Sequence, residues 1–459
     1  MRFEKAKASP TKAFFVRMLT RDIALEDCIL DLVDNAIDSA WQRSDDVPTG
    51  LVAGDSLSSF RVAITIDDDS FRIADNCGGI SLDDAANYAF TFGRSEEERA
   101  IDALGQGHHD AHDYTVGVYG IGMKRAIFKL GREITIRSSY ADNGDADSFS
   151  VPIHVDDWVA QGSGPWDFDI DESPPLPSPG VDIEISALTD PARERFADPT
   201  FIPMLRRMLG RDYMLPLMRG LVIAVNEDPV VPWQVEMKEG EGFAPMRYTY
   251  MDDSVQVEIV AGMSSPPPDD IGPEEPTRRD EKSGWYVACN GRIVVAADRG
   301  PPTGWGTSDI PQWHNQYLGF VGLAFFSAAD PGLLPMTTTK RNVDLSSDVY
   351  RRALVQMGRP TRAWIDYTNE RKADLSSARA IEERVAATPL TSIAPSAQVT
   401  LPSVRSRGGP RRANVNYSVE LARLRLLADA FGNINMTYRD VGLQSFDYAY
   451  GQWVDGDEE

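Results

Sequence analysis

Residues 30–40 read LDLVDNAIDSA. On a helix of 3.6 residues per turn, with Asp31 at zero, Asp34, Asn35 and Asp38 fall at about −60°, +40° and −20°. The four polar residues share one stripe. Ile29, Leu32, Val33, Ala36, Ile37 and Ala40 occupy the opposite arc and should pack on a core. Acids three and four apart repel on a helix, and no lysine or arginine lies between Asp27 and Gln42. Two readings follow. The stripe is a solvated face, or it faces a bound cation or a polarised water. Hard cations such as Mg²⁺ take oxygen ligands, often few from the protein and several from phosphates and waters.

The 459-residue chain has room for two or three domains and, at 42% hydrophobic, enough apolar residues for proper cores. A net charge of −24 argues against non-specific nucleic-acid or membrane binding as its main business. Cys28, Cys77 and Cys289 are too scattered for a disulfide framework. MRFEKAKASPTKAFF at the start lacks the apolar run of a signal peptide. The longest apolar run, YLGFVGLAFFSAA (317–329), is too short to span a bilayer. The expectation is a soluble, cytoplasmic protein with no membrane partner.

Residues 12–42 predict two helices broken near Thr20–Asp22, with Thr20 or Asp22 as N-cap of the second. FRVAITID (60–67) and SFRIAD (70–75) alternate and predict neighbouring strands. A short helix follows a Ser81 cap, and IGMKRAIFKLG (121–131) predicts an amphipathic helix closed by Gly131. Strands are expected at 132–140, 147–155 and 181–188, and a second unit with strands near 221–226, 254–260, 285–296 and 318–326. Residues 348–388 read as mainly helical, 390–412 as a linker without periodicity, and 418–432 as a further helix. The class is α+β: a mixed sheet with helices on one face. The expected domains are 1–192, 193–355, a helical segment 356–389, a linker 390–417 and a helical, aromatic element 418–459.

Three glycine- or lysine-bearing segments carry chemistry. In IADNCGGI (73–80) a carboxylate directly after a strand, followed by glycines, places an acid at a pocket wall where backbone approaches a flat ligand; the alternative is an ordinary tight turn. In GVYGIGMKRAIFKLG (117–131), Gly117, Gly120 and Gly122 precede a helix carrying Lys124. Free amides at a helix N-terminus bind anions, phosphate above all; the alternative is a hinge. The spacing is neither that of a Walker P-loop nor that of a Rossmann turn. In LLPMTTTKRNVD (333–344), Lys340 follows a threonine run and can reach a phosphate from another domain; alone, it reads as a surface loop.

The order of these segments resembles the ATP-binding fold shared by gyrase, heat-shock-protein-90 chaperones, histidine kinases and MutL (the GHKL superfamily), over most of 15–190. GVYGIGMKRAIFKLG looks most like the microrchidia (MORC) ATPases. WYVACNGRIV (285–294) and LPMTTTKRNVD look like the second, transducer domain of MutL and MORC proteins. The resemblance implies a Bergerat-type sandwich, then a transducer-like α/β domain and a helical tail. It implies ATP and Mg²⁺ as cofactors. Asn35 would ligate Mg²⁺, and Asp31 would hold the general-base position. Asp75 would accept the adenine amino hydrogen bond and Gly79 would line the base. Gly117, Gly120, Ile121, Gly122, Met123 and Lys124 would cradle the phosphates. Asp38 would brace the pocket, and Lys340 would sense the γ-phosphate.

Three positions depart from the family pattern. The base is usually glutamate; Asp31 is one methylene shorter, roughly 1.5 Å less reach. Cys77 stands where the first glycine of Asp-x-Gly-x-Gly would be. Gly180 is followed by Val181, not by the threonine that supports the adenine-binding aspartate. The implied function is a slow, Mg²⁺-dependent ATPase whose lid closure and homodimerisation act on a macromolecular partner. A nucleotide-gated module with little hydrolysis is the alternative. A histidine kinase is disfavoured because no histidine precedes His108. GHHDAHD (107–113) reads as a polar stretch of the lid before a metal site. RSRGGPRR (405–412) leaves room for a local nucleic-acid contact that the net charge does not indicate.

Overall fold

A computed structural model describes residues 10–91, 114–117, 120–142, 145–162, 164–269, 281–307, 309–404 and 415–454. Residues 1–405 form one compact unit and 406–459 another.

The chain opens with helices α1 (Lys12–Arg21) and α2 (Leu25–Arg43). The N-cap of α2 is Ala24, which makes no side-chain cap bond. Neither expected cap serves: Thr20 Oγ1 is turned back to donate to Val16 O, and Asp22 ends α1. Beneath the helices lies an eight-stranded sheet in the order β5-β4-β3-β6-β2-β1-β7-β8. Its strands are β1 (Arg61–Ile66), β2 (Phe71–Asp75), β3 (Gly131–Asp142), β4 (Asp145–His154), β5 (Asp171–Glu172), β6 (Gly180–Leu188), β7 (Val222–Val225) and β8 (Asp228–Pro229). Alternation drives it: Val62, Ile64 and Ile66 of β1 are buried while Arg61 and Thr65 are exposed. The apolar arc of α2 and the helix Gly122–Leu130 close this core.

Sequence reading placed the strand near 221–226 in a second unit. It belongs to the first sheet, pairing parallel with β1 (Val62 opposite Ile223) and making that sheet mixed. Gly131 does follow the glycine-led helix, but not as a left-handed cap: its φ is −157°. A Cβ there would lie 2.4 Å from Ile185 Cγ2, so the glycine serves close approach to β6.

A second sheet has the order β10-β11-β14-β12-β13, built from β10 (Met246–Asp252), β11 (Val255–Met263), β12 (Gly284–Cys289), β13 (Arg292–Asp298) and β14 (Phe320–Ser327). The single strand expected over 285–296 is a hairpin, turned at Asn290 and Gly291, both at positive φ. Successive residues of β12 face opposite sides. Trp285 packs under the helix Asp348–Arg371, its Nε1 donating to Thr361 Oγ1 at 3.1 Å. Tyr286 joins Met214, Leu215, Met237 and Leu51 on the other side. A two-stranded ribbon pairs β9 (Glu236–Glu239) with β15 (Ala386–Pro389).

The segment after β15, expected as a linker, is packed as far as Val404. Leu390, Ile393 and Val404 are buried, and Ser396 and Thr400 bridge to Arg247 and Ala244. Apolar residues at irregular spacing suffice for an extended strap, which needs no helical or strand period. GHHDAHD and RSRGGPRR lie outside the described residues. The C-terminal unit contains the helices Leu421–Ala430 and Tyr438–Trp453, the second capped by Thr437. Among the described residues no helix is long and apolar enough to cross a membrane.

Candidate nucleotide site

A cavity of ≈ 280 Å³ opens between α2, the end of β2 and the start of the glycine-led helix. That is near the lower end of the range for small-ligand pockets, about 300–1,000 Å³. Its lining contains all twelve residues singled out above: Asp31, Asn35, Asp38, Asp75, Gly79, Gly117, Gly120, Ile121, Gly122, Met123, Lys124 and Lys340. The first eleven come from three segments around the first sheet and its helices. Lys340 enters from more than 300 positions away in sequence, beside Thr338.

One end of the cavity is built on Asp75, the last residue of β2. Its Oδ1 accepts from Cys77 N at 2.8 Å and Val181 N at 3.3 Å. The backbone amide of Val181 thus supports the carboxylate from the position where the family threonine is missing. Burial pushes the Asp75 carboxyl up to about 6, although both amides pull the other way. Gly79 is held at φ +76°, and a Cβ there would lie 2.1 Å from Ser139 O. Ile73, Ile80, Val181 and Ile183 add an apolar wall, suited to a flat ring.

The other end is built on α2 and the glycine segment. Asn35 is exposed, and its side chain makes no hydrogen bond among the described residues. Its amide is open to the cavity. Asp38 is buried and braces the glycine segment: its Oδ1 accepts from Val116 N at 2.8 Å and its Oδ2 from Gly117 N at 2.9 Å. Burial pushes its carboxyl up to about 7, against the nearby Lys340 ammonium and the two amides. Ile121 stands at the N-cap of the helix Gly122–Leu130 and makes no side-chain bond to its first-turn amides. Gly122 is glycine for space, since a Cβ would press on Asp31 Cγ at 3.3 Å. The Lys124 ammonium donates to Ala89 O at 2.8 Å and Thr91 O at 2.7 Å.

Asp31 and Asp34 of α2 are paired after all, by cations that sequence distance concealed. Asp31 Oδ2 accepts from Arg125 Nη2 at 2.5 Å, and Lys340 Nζ stands 3.4 Å from Asp31 Oδ1. Asp34 Oδ2 accepts from Lys340 Nζ at 2.8 Å, while its Oδ1 accepts from the Tyr213 hydroxyl at 2.6 Å and faces Arg292 Nε at 3.2 Å. Burial would raise the Asp34 carboxyl, but Lys340 and Arg292 more than offset it and hold it below the usual value. Burial lowers Lys340, and Asp34, Asp31 and Asp38 together reverse this and raise it. Arg292 also meets Asp212 at 3.1 Å, which in turn holds Arg341 at 2.8 Å. Arg125, Arg292 and Tyr213 escaped sequence reading. The one available sign was the acid stripe itself, which needed cations from somewhere.

Residues 23–172 match the family model of the histidine kinase-, DNA gyrase B- and HSP90-like ATPases. The chain carries a GHKL-type ATPase domain. None of the curated proteins searched matches it. The matched span of this ATPase domain holds every candidate residue of the cavity except Lys340.

Proposed function

We propose that the cavity binds ATP with Mg²⁺ and hydrolyses it slowly, as part of a MORC- or MutL-like conformational switch in the cytoplasm. What carries the reading is the convergence of an acceptor carboxylate, an open amide, the N-terminus of a helix and a buried lysine on one cavity. Asp75 accepts from the adenine amino group and Gly79 lies against the ring. The amides around Gly117, Gly120, Ile121, Gly122 and Met123 receive the phosphates, which a helix N-terminus favours. Asn35 is a neutral oxygen ligand suited to an Mg²⁺ that draws its other ligands from phosphates and water. When bound, the metal supplies charge neutralisation on the phosphate oxygens. Asp31 orients the water and accepts its proton. Lys124 leaves the carbonyls of Ala89 and Thr91 to join the phosphates, and Lys340 leaves Asp34 for the γ-phosphate.

Contacts made only with nucleotide present shift the chain towards a closed, homodimeric state that acts on a macromolecular partner. A second reading, nucleotide-gated binding without turnover, draws on Arg125 and Lys340 standing on the base carboxylate. Both are tested by titrating ATP with and without Mg²⁺ by calorimetry and following mass by light scattering with a non-hydrolysable analogue. Nucleotide binding with a shift from monomer to dimer supports the switch; binding without any change of mass removes dimerisation from it.

A further inference from the structure

We infer that Arg125 is a positioning residue for the base: it holds one oxygen of Asp31 so that the other faces the water. This rests on the ATPase reading above. Gly122 and Arg125 lie three apart, on one face of their helix. The glycine brings that face against Asp31, and the arginine, one turn on, reaches Oδ2 at 2.5 Å. Arg125 is mostly buried, and its buried Nε has no hydrogen-bond partner among the described residues. Among the described residues its ion pair is to Asp31.

The pairing answers two requirements. An aspartate in a glutamate position has less reach, so its rotamer must be held; a fixed guanidinium does that better than a mobile ammonium. Asp31 also carries a second cation, Lys340, on its other oxygen. The two differ in tether. Lys340 comes from the turn that follows the second sheet, while Arg125 belongs to the helix that receives the phosphates. When Lys340 moves to the γ-phosphate, Oδ1 is released and Oδ2 stays on Arg125. Oδ1 then takes a proton from the water whose oxygen bonds the γ-phosphorus. The bond from that phosphorus to the β–γ bridging oxygen breaks, giving ADP and phosphate.

The test compares full-length wild type, Arg125→Gln, Arg125→Lys, Asp31→Asn and the Arg125→Gln/Asp31→Asn double variant, each checked for folding by thermal melting. Steady-state ATP turnover and ATP affinity are read on all. Arg125→Gln is expected to lower kcat about tenfold or more, within the range general-base catalysis commands, with ATP affinity within about threefold. Arg125→Lys should recover part of kcat, and the double variant should be no slower than Asp31→Asn alone, as for residues acting through one another. A kcat within about twofold of wild type in Arg125→Gln overturns the inference. So does a loss confined to affinity, or a full additional loss in the double variant. A wild type that neither binds nor hydrolyses ATP overturns the ATPase reading itself, whatever the arginine variants do.

Discussion

The Lys340 ammonium lies 2.8 Å from Asp34 Oδ2, across 306 positions of sequence. Lys340 sits at φ +55°, an unusual conformation for a side-chain-bearing residue, in a turn closed by its own N–H donating to Thr337 O at 2.9 Å. The pair joins the helix that lines the candidate cavity to the turn that follows the second sheet. Removing one partner of a buried pair leaves the other charge uncompensated. Lys340→Met should lower the nucleotide-free unfolding free energy by about 3 kcal/mol, measured by urea denaturation. Asp34→Asn should cost a similar amount, and the double variant should cost less than the sum. Additive losses would show that the two do not interact.

Asp75 titrates near 6 because burial disfavours its carboxylate. A donor from the adenine amino group favours the charged form, so ATP binding should pull this value down and release a proton between about pH 5 and 7. Affinity should therefore fall as pH drops below 6, by up to about tenfold per unit. Calorimetry in buffers of different ionisation enthalpy measures the proton release. Asp75→Asn should abolish the pH dependence and weaken ATP more than inosine triphosphate, which lacks the amino donor.

Asp38 titrates near 7 when folded, against a reference of 3.8. The folded state thus holds a proton that the unfolded state has lost. Its contribution to stability is complete below pH 3.8 and disappears as pH rises through 7. Asp38→Asn should flatten the decline of stability over pH 4–7 relative to wild type. It should also cost roughly 1–2 kcal/mol at pH 7.5, because an amide cannot accept from both Val116 and Gly117. Urea midpoints at pH 5, 6, 7 and 8 decide both points.

Gly79→Ala should destabilise the first unit by more than about 2 kcal/mol. The position combines φ +76° with a Cβ 2.1 Å from a backbone oxygen, and neither can relax alone. Gly120→Ala, at φ +63° with nothing within 4 Å, carries the conformational cost without the clash and should cost less. Thermal melts of the two variants rank them; an equal loss would remove the steric argument.

Much of this arrangement was legible before the structure. The stripe of α2, the acid after β2 and the glycine-led helix are local patterns, each set by its own spacing, and all reach one cavity. What was not legible depended on partners far away in sequence. Nothing near Asp31 or Asp34 announces Arg125, Arg292 or Lys340 as their counterions. The strand at Val222–Val225 pairs with β1 by a parallel contact that no turn records. The hairpin at Asn290–Gly291 is a local signal masked by its flanks, because β12 is buried along its whole length and β13 at its start, so the two strands read as one apolar run. The strap over 390–404 is held by two isolated bridges and a few apolar side chains, too irregular to show a period.

The proposed role of Asp31 as general base in an ATP-binding cavity rests on turnover and on binding together. The most direct measurement is Mg²⁺-dependent ATP hydrolysis by wild type and Asp31→Asn, with ATP binding measured on both. The account predicts that both bind ATP, that wild type turns over, and that Asp31→Asn is slower by about a hundredfold or more. Equal turnover by the two proteins would contradict it.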